Sequence, residues 1–182
     1  ASKAAFNKWL SVICDQVYCD TPVYINEMVN KHKPSSAIST ARVNFLAHLL
    51  DNAAEQNLGF EDGKFPPEKT IYLTLLQNTG IHKRIGREYL MDTPTEESFL
   101  PLWNACEAFL DSTKEKPRKL GELIKILRSR PFKLKQGVID LWLPAFLIIK
   151  KNDYSLYNDA GVYIHTITRE VLDIMQKSPA GF

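Results

Sequence analysis

The 182 residues of this chain suit one domain, or two small subdomains with a shared core. Hydrophobic residues make up 45% of the chain and aromatic residues 10%, which excludes extensive disorder. The formal net charge is only +2, so the chain as a whole is not a polycation, although its basic residues are concentrated in one stretch.

Apolar residues at helical spacing predict three helices in the first 55 residues. The first helix has a one-sided apolar stripe, formed by Phe6, Trp9, Leu10, Ile13, Cys14 and Val17. Thr21 and Pro22 have the form of an N-cap followed by proline at the first helical position, which predicts a short second helix. Its inward-facing residues are predicted to be Ile25, Met28 and Val29. Ser35 and Ser36 predict the cap of a longer third helix, whose regular stripe is Ile38, Ala41, Phe45, Leu46, Leu49, Leu50 and Ala53.

Two more helices and a subdomain boundary are predicted in the middle of the chain. A helix around Ile71 is expected to end at Gly80, which suits a left-handed cap. Residues 93–96, Thr-Pro-Thr-Glu, have the form of a capping box with proline at the first helical position. The helix that follows has an apolar stripe of Phe99, Leu102, Trp103, Cys106, Phe109 and Leu110. The polar residues 111–117 then predict a division into a helical subdomain, 1–112, and a second subdomain, 113–182.

The sequence of the second subdomain predicts three helices and one β-hairpin. An amphipathic helix is expected from Leu120 to a stop before Pro131, and a nearly all-apolar helix over 138–149 with a kink at Pro144. Residues 154–166 alternate in hydropathy around the turn 158–161, which predicts the hairpin. Thr168 is expected to cap a last helix that buries Val171, Leu172 and Met175.

The order helix, turn, helix, hairpin is typical of a winged helix-turn-helix module. An isolated two-stranded hairpin is marginally stable in water, so the hairpin is expected to pack on the preceding helix. The predicted fold class is therefore mainly α, a helical bundle with a C-terminal winged-helix-like module that contains one β-hairpin. We expect Trp103, Trp142, Phe146, Leu123 and Leu127 to be buried.

Basic residues are concentrated between positions 114 and 135, where nine of them stand against Glu115 and Glu122. The nine are Lys114, Lys116, Arg118, Lys119, Lys125, Arg128, Arg130, Lys133 and Lys135. Such a stretch can neutralise several phosphates, which predicts non-specific binding to the DNA backbone. A solvated basic face, or a face that docks on an acidic protein domain, explains the same pattern and stays open as an alternative.

Sequence-specific DNA recognition is disfavoured. A reading helix needs an exposed polar face that reaches base edges. The helix before the predicted hairpin, IDLWLPAFLIIKK, contains only Asp140, Lys150 and Lys151 as charged residues. It is therefore expected to lie inside the module and not in a DNA groove.

Signals for catalysis, cofactors and membranes are weak. Cys14, Cys19 and His32 include no CxxC pair, so we expect no metal site, and three cysteines favour a reduced, cytoplasmic setting over a disulfide framework. The stretch 79–87, TGIHKRIGR, matches no nucleotide-binding motif, and we interpret it as a helix connection, with a phosphate site as the lesser alternative.

The longest apolar run, 141–149, is far shorter than the roughly 20 residues of a membrane span, so no membrane partner is expected. We expect no cofactor and no enzyme activity, and a small hydrolase is the least favoured alternative.

Three stretches resemble a known type of protein segment. They are TPVYINEMVNKHKPSSAISTARVNFLAHLL at 21–50, FPPEKTIYLTLLQNTGIH at 65–82, and RPFKLKQGVIDLWLPAFLIIKK at 130–151 with the hairpin and KSPAGF after it. The pattern is similar to a segment of large bacterial P-loop ATPases of uncharacterised type, some of which look like phage-defence or DNA-modification-linked proteins. Glycine is usual in that pattern where Lys133 stands, and proline where Asp140 stands.

The resemblance implies a non-enzymatic accessory domain of a larger ATPase, whose nucleotide site would lie outside these residues because no G-x-x-x-x-G-K-[ST] occurs here. The sequence begins Ala-Ser-Lys without methionine, and we expect either a piece of a longer protein or an expression scar. The leading hypothesis is contact with nucleic-acid backbone or a neighbouring domain through the basic residues. The alternative is a purely protein-binding or scaffolding domain.

Overall fold

The structure is a computed structural model that describes residues 2–26, 29, 36–178 and 181–182. These residues form seven α-helices and two β-hairpins. The helices are α1 (Lys3–Val17), α2 (Ser36–Asp51), α3 (Pro67–Tyr72), α4 (Leu100–Ser112), α5 (Leu120–Arg128), α6 (Gln136–Ile149) and α7 (Arg169–Lys177). The strands are β1 (His82–Ile85), β2 (Glu88–Met91), β3 (Leu156–Tyr157) and β4 (Tyr163–Ile164), which pair as two separate antiparallel sheets, β1–β2 and β3–β4. The mainly α fold class is confirmed.

Helix α6 lies at the centre of the hydrophobic core. Nine of its 14 residues are buried, because its sequence is apolar on nearly every side. Trp142 has no exposed surface, and its ring packs against Phe99, Trp103 and Phe146 at centroid distances of 5.9, 6.3 and 5.9 Å. Its indole N–H donates to the sulfur of Cys106 on α4 at 3.4 Å. The predicted burial of both tryptophans is confirmed, as is that of Phe146, Leu123 and Leu127.

Side chains from both predicted subdomains belong to this core. Helices α2 and α4 come from residues 1–112, helices α5, α6 and α7 from residues 113–182, and all five contribute buried residues to one cluster. The division at residue 113 stays a prediction, and the two parts share apolar contacts across it.

Helix α1 forms where the periodicity predicts it, with the Ser2 hydroxyl accepting a hydrogen bond from the Ala5 N–H as an N-cap. None of its residues is buried. Phe6 and Trp9 are 52% and 61% exposed, so its apolar stripe does not contribute to the core. The helix is correctly predicted, but none of its residues belongs to the hydrophobic core of the described chain.

The prediction of a short helix from Thr21 is wrong over the described residues 21–26, which are not helical. The Thr21 hydroxyl donates to the carbonyl of Phe132 at 2.5 Å, 111 residues away in sequence, instead of capping a helix. Ile25 is 79% exposed, whereas Val29 is buried as expected. The remaining expectations for this segment, Met28 and the Ser35 cap, lie outside the described residues.

The capping box predicted at residues 93–96 is also wrong. The N–H groups of Thr95 and Glu96 donate to the Thr79 carbonyl at 2.9 and 3.1 Å, so this segment is fixed by a distant turn. Helix α4 begins later, at Leu100, after a 3₁₀ turn over Glu97–Phe99. Gly80 adopts the predicted left-handed conformation, with φ +71°, and a Cβ atom there would overlap the Thr95 hydroxyl.

The described residues contain two hairpins where the sequence predicted one. The additional hairpin, β1–β2, occupies much of the TGIHKRIGR stretch that we interpreted as a helix connection. Gly86 at φ +65° allows the tight turn between the strands, which pair from His82 with Met91 to Ile85 with Glu88. The β1 residues after His82 are charged or exposed, so no buried alternation signals a strand.

The predicted hairpin, β3–β4, is confirmed. The N–H of Asn158 donates to the Val162 carbonyl at 3.0 Å, and the Asn158 side-chain oxygen accepts from the Val162 N–H at 2.9 Å. Of the turn residues, Gly161 alone has positive φ, at +75°. Leu156 faces the core and Tyr154 donates its hydroxyl proton to the Leu147 carbonyl at 2.9 Å, so the hairpin is attached to the end of α6.

Replacing Trp142 with alanine should lower the free energy of unfolding by about 3–5 kcal/mol, because it leaves a cavity at the centre of the aromatic cluster. Trp9→Ala is the matched control, since the same substitution on the exposed α1 should change stability by less than about 0.5 kcal/mol. Urea unfolding followed by circular dichroism measures both. Equal losses for the two variants would contradict the packing described here.

Candidate nucleic-acid interface

The nine predicted basic residues lie along α5 and the loops on either side of it. Helix α5 buries Leu120, Leu123 and Leu127, so its amphipathic pattern turns Lys125 and Arg128 to solvent. Lys114, Lys116, Arg118 and Lys119 lie in the connection from α4, and Arg130, Lys133 and Lys135 in the loop to α6. Eight of the nine are exposed, and Arg118 is half-buried. We call these nine residues the basic surface.

Three members of the basic surface have side-chain partners. Lys114 forms an ion pair with Asp111 at 2.6 Å. Arg118 forms an ion pair with Glu122 at 2.7 Å and lies over the Phe109 ring, 4.4 Å from its centroid. The Arg118 guanidinium, with the Lys119 N–H, holds the pKa of the Glu122 carboxyl below its usual value. These contacts hold the first part of the basic surface in place and reduce its net charge.

Arg128 belongs to a polar network that crosses from α5 to α2. Its Nε donates to the Gln136 side-chain oxygen at 3.0 Å, and the Gln136 amide donates to Asp140 at 2.5 Å. The Asp140 carboxylate in turn lies 3.8 Å from the guanidinium of Arg42. Burial lowers the pKa of Arg42 below its ordinary value, and the Asp140 carboxylate offsets part of that decrease. Asp140, where the resembling pattern has proline, therefore offsets a half-buried cation.

The other six residues have neither an ion pair nor a side-chain hydrogen bond within the described part of the chain. They are Lys116, Lys119, Lys125, Arg130, Lys133 and Lys135. We call them the unpaired cations. Exposed cations without a direct partner hold counterions that they can exchange for phosphates.

The loop that contains Arg130 and Lys133 is fixed by backbone hydrogen bonds. The Lys133 N–H donates to the Ser129 carbonyl at 2.8 Å, and the Leu134 N–H to the Leu127 carbonyl at 2.9 Å. Lys133 has φ +51°, a left-handed conformation that costs a residue with a Cβ atom about 1–2 kcal/mol. Glycine, usual here in the resembling pattern, adopts this conformation freely. Lysine therefore adds a charge to the surface at a conformational cost.

Helix α6 does not offer a surface for reading bases. Its buried residues cover most of its circumference, as the apolar sequence predicted. Its polar positions Gln136 and Asp140 are occupied by the network with Arg128 and Arg42. A groove-reading helix needs free polar side chains, and those of Gln136 and Asp140 are engaged within the domain.

Two clefts flank the β3–β4 hairpin, and sequence reasoning did not find them. The larger, of about 770 Å³, lies between the hairpin and the α4–α5 connection and includes Lys114, Arg118 and Lys119. The smaller, of about 620 Å³, lies between the hairpin and the start of α7. Alternation along β3 and β4 could have signalled their aromatic rims, because it places Tyr157 and Tyr163 on the outer face.

Other candidate sites have little support. Among the described residues, no group of three or more histidine, cysteine or carboxylate side chains is placed to hold a metal ion. Cys14 and Cys19 are exposed, and His32 lies outside the described residues. No helix in the described part of the chain combines the length and hydropathy needed to cross a membrane.

Comparison with known proteins gives no relative, since no family model, curated protein or solved structure matches the chain. The resemblance to segments of bacterial P-loop ATPases therefore stays a prediction.

Lys133→Gly should leave the free energy of unfolding within about 0.5 kcal/mol of wild type, because relief of the left-handed strain offsets the entropy cost of glycine. Lys125→Gly, in the middle of α5, removes the same charged side chain without such relief and should cost about 1 kcal/mol. Urea unfolding of the two variants side by side measures the difference. A larger loss for Lys133→Gly than for Lys125→Gly would contradict the strain argument.

Proposed function

We propose that this chain is a non-enzymatic accessory domain that binds the phosphate backbone of nucleic acid through the basic surface. The observation that supports it best is the set of six exposed, unpaired cations along α5 and its flanking loops. Each side chain that contacts a phosphate releases condensed counterions, so binding of this kind does not depend on base sequence.

The arrangement of the C-terminal elements supports a winged-helix interpretation. Helices α5 and α6 pack together, and the β3–β4 hairpin follows with Leu156 against the core, as a wing would. In this interpretation α6 acts as a structural helix and α5 with its loops contacts the backbone. The resemblance suggests that the larger protein is a bacterial ATPase, which would place the domain where an enzyme handles DNA.

Protein binding is the second candidate function, and a separate observation favours it. The first part of the apolar stripe of α1 is exposed, with Phe6, Trp9 and Leu10 between 39% and 61% accessible. Exposed apolar patches of this kind mark protein contacts more often than they mark nucleic-acid contacts. A neighbouring domain or a scaffold partner would cover this face, and the basic surface would then meet an acidic domain.

A titration of labelled duplex DNA tests the leading proposal. Duplex of any sequence should bind weakly at low salt, and affinity should fall steeply as salt increases. The triple variant Lys125→Gln, Arg130→Gln, Lys133→Gln removes three unpaired cations and should reduce the slope of log affinity against log salt by about 3. Fluorescence anisotropy at several salt concentrations measures the slope.

The matched control is the triple variant Lys3→Gln, Lys8→Gln, Arg87→Gln. It removes two lysines and one arginine that are exposed and have no ion-pair partner among the described residues. They lie on α1 and in the turn between β1 and β2, outside the basic surface. The control variant should leave the slope nearly unchanged. Equal slopes for the two triple variants would show that only net charge matters. If neither duplex nor single-stranded DNA binds at about 50 µM protein and about 50 mM salt, nucleic-acid binding is rejected and protein binding becomes the leading candidate.

A further inference from the structure

The outer face of the β3–β4 hairpin exposes a pair of aromatic rings. In the register of the hairpin Leu156 pairs with Ile164, which are both half-buried, and Tyr157 pairs with Tyr163 on the opposite face. The two tyrosines are 48% and 42% exposed, with ring centroids 5.4 Å apart. His165, on the same face, lies edge-on to Tyr163 at 4.5 Å.

These rings are not held by polar contacts of their own. Neither phenol hydroxyl has a hydrogen-bond partner among the described residues, in contrast with Tyr154, whose hydroxyl donates to a backbone carbonyl. A cross-strand tyrosine pair helps the short hairpin to form, but nearly half of the surface of each tyrosine remains exposed. Flat exposed rings of this kind suit stacking by another planar group.

Each tyrosine ring shares a cleft with a cationic side chain. Tyr157 lines the larger cleft together with Lys119, one of the unpaired cations. Tyr163 and His165 line the smaller cleft together with Lys151, which has no ion-pair partner in the described part of the chain. The other charged groups of the two clefts are of both signs, namely Lys114, Arg118, Asp153 and Asp159 in the larger and Asp51, Arg169 and Glu170 in the smaller.

Among these other groups, Lys114, Arg118 and Arg169 are already paired with Asp111, Glu122 and Asp51. The acidic Asp153 lies 3.4 Å from Lys150. Each cleft therefore provides one cation without an ion-pair partner among the described residues, together with one of the two tyrosines, and neither cleft is strongly positive. Affinity at this place would come from stacking more than from charge.

We propose that the outer face of the β3–β4 hairpin binds single-stranded nucleic acid, with unstacked bases on Tyr157 and Tyr163 and the flanking phosphates near Lys119 and Lys151. A cleft of about 770 Å³ has room for an unstacked base, since pockets of about 300–1,000 Å³ hold small planar ligands. Bases within a duplex are stacked on each other and cannot reach these rings, so the face selects single strands. This inference rests on the proposed function, because it names the nucleic acid that the domain prefers.

The test compares two labelled strands of equal charge, an oligothymidine of about 20 nucleotides and an abasic strand of the same length. Wild-type protein should bind the oligothymidine about tenfold more tightly, because only that strand has bases to stack. Fluorescence anisotropy at a fixed low salt concentration measures both affinities. This comparison uses the unaltered chain, so it does not depend on how a variant folds.

Tyr157→Val and Tyr163→Val locate the effect on the hairpin. Valine keeps a β-branched residue in the strand but removes the ring, so each variant should lose most of the tenfold preference while its affinity for the abasic strand stays unchanged. Phe6→Val, which removes an exposed ring on α1, is the control and should keep the preference. A thermal melt of each variant verifies that it is folded.

The outcomes separate this inference from the proposal on which it rests. Equal binding of the two strands by the wild type would overturn base stacking and leave backbone binding by the basic surface intact. A preference for oligothymidine that survives both tyrosine substitutions would also overturn the assignment to the hairpin. Failure of both strands and of duplex to bind would overturn the proposed function and this inference together.

Discussion

The burial of α6 is the constraint on which the rest of the structure depends. A helix that is apolar on nearly every side is stable only when other elements surround it, and α2, α4 and α5 supply that surface. Trp142 illustrates the requirement, because its ring is enclosed by aromatic neighbours and its N–H is satisfied by Cys106. Once α6 occupies the interior, α5 must present one apolar face inward, and the positive charges of this region are confined to its other face and to the loops.

That arrangement decides which type of nucleic-acid contact is physically reasonable. Side chains that read bases need a helix or strand able to enter a groove, and the helix in the expected position is enclosed. The backbone of the loop from α5 to α6 is instead held by hydrogen bonds to the end of α5 and to Thr21, with Arg130 and Lys133 at the surface. A loop whose backbone is already fixed needs no backbone ordering when it meets a partner, so only the side chains of its cations would lose conformational entropy.

Local sequence signals predicted the helices and the β3–β4 hairpin well, because local interactions determine them. The predictions failed for segments whose conformation is determined by contacts with distant residues. Helical periodicity located α2, α4, α5 and α6, and the hairpin at residues 154–166 followed from alternation around a glycine turn. Thr21 and the segment 93–96 have the composition of helix caps, but their hydroxyl and N–H groups bond to carbonyls far along the chain. The ion pairs that divide the basic surface into paired and unpaired members depend on side-chain geometry, which net charge along the sequence does not encode.

The two candidate contact surfaces differ in physical character, and this difference gives them separate roles. The unpaired cations attract any polyphosphate, and their contribution decreases as salt screens it. The tyrosine strip on the β3–β4 hairpin gains from dispersion and exclusion of water, which salt weakens far less. Lys119 belongs to the basic surface and also lines the larger cleft beside Tyr157, so the two surfaces meet at one residue. Under the two proposals, a strand held by its phosphates along α5 would continue onto the hairpin, where its unstacked bases would determine whether it is retained.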